Sequence, residues 1–66
     1  MKHFYFVEEN SGEEFIVGAN SLKEAWEIAL EIGKNCVENY GMNAMVVSYE
    51  YEMTDQEAED SGLDEY

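Results

Sequence analysis

Sixty-six residues suffice for one domain and no more, and a chain this short leaves a large share of its surface exposed when folded. Sixteen carboxylates against three lysines and no arginine give a formal net charge of −13 at pH 7, a field that repels nucleic acid and anionic membrane and attracts basic surfaces. A 45% hydrophobic content with nine aromatic residues argues against a disordered acidic tail, and the single cysteine, Cys36, excludes an intramolecular disulfide.

Residues 2–8 alternate, with Phe4 and Phe6 on one face and His3, Tyr5 and Val7 on the other, and predict a strand with apolar bulk on both faces. The segment Glu9-Asn10-Ser11-Gly12-Glu13 reads as a turn leading into a second strand over 14–19, so the first two strands form a hairpin. Ser21-Leu22-Lys23-Glu24 fits a capping box and opens a helix. Its apolar stripe runs through Leu22, Ala25, Trp26, Ala29, Ile32 and Gly33, then Cys36, Val37 and Tyr40. Gly33 either ends this helix early or permits close contact with the sheet; if the helix continues, Gly41 is its natural cap.

A third strand is expected over 45–53, with Met45, Val47, Tyr49, Tyr51 and Met53 on one face and Ser48, Glu50 and Glu52 on the other. Thr54-Asp55-Gln56-Glu57 repeats the capping-box pattern and predicts a short helical turn over 55–61. Leu63 then folds back onto the domain, and residues 64–66 are expected to fray. The fold class is α+β: ββαβ with a three-stranded antiparallel sheet of order 2-1-3, one helix packed on one face, and a short C-terminal helical turn. A single acidic domain spans 1–63. The second sheet face is left partly open, lined by aromatic residues.

Chemistry is poorly provided for. His3 reads as a solvated residue at a strand start and Cys36 as a small core residue, and nucleophilic catalysis needs such a pair within hydrogen-bond reach. Neighbouring carboxylates such as Glu13-Glu14 and Glu59-Asp60 sit in nothing resembling an enclosed pocket. Residues 55–62 look faintly like a calcium loop, but the glycine falls at the eighth position and no acid follows at the twelfth. The reading is therefore of a protein that is not an enzyme and uses no cofactor or metal.

The charge is uneven. Residues 35–66 hold nine acids and no lysine or arginine. Strand residues two apart are separated by about 6.6 Å, near the spacing of phosphates along a nucleic-acid strand. Glu50 and Glu52, continued by Asp55, Glu57, Glu59 and Asp60, are thus the candidate contacts to a basic partner that normally binds nucleic acid. Tyr5, Tyr49 and Tyr51 are the anchors of the alternative, an aromatic sheet surface used for protein interaction or homodimerisation. Crowding of so many carboxylates is expected to raise their pKa values, so that stability rises as the pH falls from neutral. With no apolar segment long enough for a membrane span or export signal, and a lone thiol, the expected setting is a reducing cytoplasm.

The chain also resembles, in general character, small acidic proteins encoded by bacteriophages and mobile elements. The likeness lies in the aromatic first strand, the acidic hairpin Glu8-Glu9-Asn10-Ser11-Gly12-Glu13-Glu14-Phe15, the run Ala19-Asn20-Ser21-Leu22-Lys23-Glu24-Ala25, and the close Thr54-Asp55-Gln56-Glu57-Ala58-Glu59 with Gly62-Leu63-Asp64. Such proteins often inhibit host machinery, including CRISPR and restriction systems, and some imitate DNA in charge. The resemblance implies an inhibitor of a basic host protein; it carries over no functional residue.

Overall fold

The computed structural model describes all 66 residues as β1 (Lys2–Glu8), β2 (Glu13–Ala19), α1 (Leu22–Tyr40), β3 (Val47–Met53) and α2 (Asp55–Ser61). The three strands form one antiparallel sheet of order β2-β1-β3, the expected architecture. β1 occupies the centre, paired with β2 along one edge and β3 along the other.

Helix α1 is set by its ends. The Ser21 side chain accepts a hydrogen bond from the Glu24 N–H at 3.2 Å, whereas the Glu24 carboxylate reaches Asn20 N–H, one residue beyond the reciprocal position. At the other end Gly41 takes φ 64°, and its N–H closes on Val37 O. Between them Ala25, Ala29, Ile32 and Cys36 bury against Phe4, Phe6, Phe15, Val17 and Ala19. Trp26 stands edge-on to the fully buried Phe6 ring, with 5.1 Å between centroids.

Gly33 does not end the helix; it allows close approach. A Cβ built there would lie 2.5 Å from Met45 Sδ and 2.6 Å from Val47 Cγ2. A single missing methyl lets α1 sit directly on the start of β3.

The faces of β3 differ from the expected alternation. Tyr5 lies opposite Tyr51 while the next residue, Phe6, lies opposite Tyr49, so Glu50 is an extra residue in a β-bulge. Side chains alternate with period two, and one inserted residue therefore reverses the face of everything beyond it. Val47 and Tyr49 pack beneath α1. Tyr51 and Met53 instead face the opposite side, opposite Tyr5 and His3.

That second face is half covered. α2 places Ala58 against Ile16 and Met53, with Tyr5 and Leu63 packed around them. Thr54 and Glu57 make the full reciprocal cap of α2, at 3.1 and 3.0 Å. The expected fraying of residues 64–66 is corrected here. The Ile16 N–H donates to Asp64 O at 2.9 Å, Tyr66 N–H to Ile16 O at 2.8 Å, and Gly18 N–H to Tyr66 O at 2.8 Å. Glu65 thus forms a parallel bridge with Ile16 on the outer edge of β2. The backbone of β2 has unpaired donors there, and the chain end satisfies them.

Candidate functional site

The acids proposed for partner binding separate into groups with different occupations. Glu50, at the bulge, and Glu52, opposite Phe4 on the α1 side of the sheet, are both exposed. The bulge breaks the regular two-residue spacing on which a phosphate-like ruler along β3 depends, and Ser48 and Glu52 end on opposite faces. On α2, Asp55, Glu57, Glu59 and Asp60 are all exposed. Asp55 accepts a hydrogen bond from His3 Nε2 at 2.6 Å, Glu57 closes the helix cap, and Asp60 accepts from Gln56 Nε2 at 3.0 Å. Glu59 points outward without a protein partner. α2 is therefore an acid-bearing turn held firmly at one end.

The aromatic candidates divide likewise. Tyr49 packs beneath α1 beside Phe4 and Phe6, at 6.2 and 5.6 Å between centroids. It belongs to the core. Tyr5 and Tyr51 meet edge-to-face at 5.3 Å on the second face, and Tyr51 keeps 49% of its surface exposed. Tyr5 donates its hydroxyl to Glu14 Oε1. That bond, with burial and the neighbouring charges of Glu14, Tyr51 and Glu50, pushes the phenol up to about 12.

His3 is not a solvated terminus. Its side chain is only 15% exposed, and its two ring nitrogens face Glu65 and Asp55. Both bonds require a proton on each nitrogen, so the pair of carboxylates favours imidazolium and raises the pKa above 6.5, Glu65 contributing most. Cys36 lies across the sheet from it, in the cluster beneath α1, and burial pushes its thiol up. The fold keeps the histidine and the cysteine on opposite faces.

Glu8 is the residue that the sequence conceals. Standing at the end of the first strand, beside an acidic turn, it is fully buried. Its carboxylate accepts from Ser11 N–H at 2.6 Å and from Val46 N–H at 2.7 Å, tying the hairpin turn to the start of β3. Burial alone would raise its pKa, but the donors from Val46, Ser11 and Asn10 outweigh it and hold the carboxyl below its ordinary value of 4.5. The expected crowding effect is reversed at this position. The only cue in the sequence is phase: Glu8 continues the Phe4, Phe6 face of β1.

Two shallow recesses flank α1. One, of ≈ 230 Å³, lies between Asn35, Cys36, Asn39, Tyr40 and the C-terminal Tyr66, and the other, of ≈ 320 Å³, lies between the end of α1 and residues 43–45. No three His, Cys, Asp or Glu side chains are grouped so as to hold a metal ion, and no helix is long and apolar enough to cross a membrane. The molecule's dominant chemical feature is its charge. Only Glu31, Asp55 and Glu65 pair with a cationic side chain, Glu31 with Lys34 at 3.8 Å and the other two with His3.

No family model, curated protein or solved structure matches the chain.

Proposed function

We propose that this chain is a non-enzymatic acidic binding protein, of the phage-inhibitor type, that occupies the basic nucleic-acid-binding surface of a host bacterial protein in the cytoplasm. One observation supports this reading above the others: most of its carboxylates stand on regular elements without a cation of the chain's own to neutralise them. Fixed, uncompensated charge favours fast, salt-sensitive association with a surface of opposite sign. Glu50, Glu52 and Glu59 are the contacts with most freedom, since Asp55, Glu57 and Asp60 are partly engaged within the fold. A net charge of −13 also exceeds the magnitude of about 2–8 that suffices for solubility in a small domain.

Affinity capture from bacterial lysate, followed by mass spectrometry, tests the proposal. The expected partner is a basic nucleic-acid-binding protein that is released as the salt approaches about 1 M. Reversing Glu50, Glu52, Glu59 and Asp60 to lysine is expected to abolish capture. A partner retained unchanged at high salt, or by the reversed variant, would rule the reading out.

A second reading, an aromatic interaction or homodimerisation module, is favoured by the half-exposed Tyr51 beside Tyr5. Sedimentation across a range of concentrations separates the two, because a net charge of −13 opposes self-association unless the apolar contact is large.

A further inference from the structure

The second face of the sheet is covered over only half its length. α2 and Leu63 shield Ile16 and Met53. Further along, Val7 on the central strand is partly exposed, with Glu14 and Ser48 as its cross-strand neighbours and Tyr5 and Tyr51 beside it. The floor of this strip is aromatic and aliphatic. Its rim is acidic on three sides: Glu14 from β2, Glu50 from the bulge in β3, and Glu9 from the hairpin turn, whose carboxylate accepts from Ser48 Oγ at 2.5 Å. Each of Glu9 and Glu14 uses one oxygen in these bonds and leaves the other without a donor in the protein.

No cationic side chain competes for the strip. Lys23 and Lys34 ride on α1, behind the sheet, and Lys2 lies at its far end opposite Ala19. His3 shares the face but is held between Asp55 and Glu65.

We propose that this strip, Tyr5, Val7 and Tyr51 fringed by Glu9, Glu14 and Glu50, receives an arginine side chain from the basic partner. The inference rests on the electrostatic reading above and specifies where it acts. The chemistry is complementary at each level. An alkyl stem lies on Val7, a planar guanidinium covers the face of a tyrosine, and its N–H groups reach the free carboxylate oxygens of the rim. Arginine suits the site better than lysine because a compact ammonium neither stacks nor spans two acceptors in a fixed plane. A nucleic acid does not suit it, since phosphate would meet three carboxylates.

The test is a titration of the ¹⁵N-labelled protein with an acetylated arginine nonapeptide, followed by amide chemical shifts. The largest shifts are expected at Tyr5, Val7, Glu14 and Tyr51. Tyr51→Ala is expected to weaken binding roughly threefold, while Tyr51→Phe, which keeps the ring, stays near wild type. The pair Glu14→Gln with Glu50→Gln should weaken binding more than Glu27→Gln with Glu38→Gln, which removes the same charge from exposed positions on α1. A lysine nonapeptide should bind more weakly than the arginine peptide.

Shifts spread over α1 and α2 alike, equal losses in the two double variants, or equal affinity for the two peptides would overturn the arginine site while leaving charge-led binding in place. Concentration-dependent shifts at the strip without any peptide would overturn it in favour of self-association. No binding to either peptide even at low salt would remove the electrostatic reading itself.

Discussion

The Nε2 of His3 and the Oδ1 of Asp55 lie 2.6 Å apart, so the central strand is bonded to the first residue of α2. The same ring holds Glu65 through Nδ1, and one imidazole thereby fastens two segments of the C-terminal third. Its pKa is raised from 6.5 by hydrogen bonds with Glu65 and then Asp55. The clamp's stabilisation is complete below pH 6.5, the unfolded value, and is lost as the pH rises through the folded one. The melting temperature should therefore fall as the pH climbs from 6.5 into the alkaline range. His3→Gln should flatten that slope. Parallel slopes in the two proteins would show that the clamp contributes nothing.

Glu8 has the opposite sign. Its folded pKa is depressed, so its contribution is present above 4.5 and disappears as the pH falls through the folded value. Glu8→Ala leaves the Ser11 and Val46 N–H groups without their acceptor and should destabilise the protein by about 3 kcal/mol, read as a lower urea midpoint. Glu8→Gln keeps one acceptor oxygen and should lose less. Trp26, packed on Phe6, supplies the fluorescence signal.

Gly33→Ala sets two effects against each other. Alanine favours the helix by about 1 kcal/mol over glycine. The new methyl, however, overlaps Met45, which bends, and Val47, which is β-branched and fixed in a strand. Overpacking of this kind costs about 1–3 kcal/mol, so net destabilisation of roughly 1 kcal/mol is expected in urea unfolding. A stabilised variant would mean that α1 can move off β3 freely.

Deleting residues 64–66 should be read at single amides. The Ile16 and Gly18 N–H groups donate to Asp64 and Tyr66, and hydrogen exchange at both should accelerate sharply in the shortened chain. The Phe15–Tyr66 edge contact, 6.1 Å between centroids, is lost with them. Unchanged protection at Ile16 and Gly18 would contradict the bridge.

The architecture was legible because its signals are local. Ser21 and Thr54 cap helices three residues before a glutamate, Gly41 takes the left-handed turn, and Phe4 and Phe6 alternate on β1. The bulge was not. Tyr49-Glu50-Tyr51-Glu52 alternates without a flaw, and only its pairing with Tyr5 and Phe6 shows that one residue is surplus. The roles of His3, Glu8 and Glu65 were hidden for a related reason: apart from the bonds of Glu8 within the adjacent turn, their partners lie 38 or more positions away. Among the candidate site residues, the exposure of the acids is legible in the sequence, whereas Tyr49 alternates in step with Tyr51 and only the bulge divides it from Tyr5 and Tyr51.

The surplus residue at Glu50 also alters the outer edge of the sheet. Exposed sheet margins are templates for open-ended stacking of chains. Here one margin is already taken by Glu65 and the other is kinked and carries an unpaired charge. Both features oppose the edge-to-edge addition of further strands, by a route that does not depend on salt.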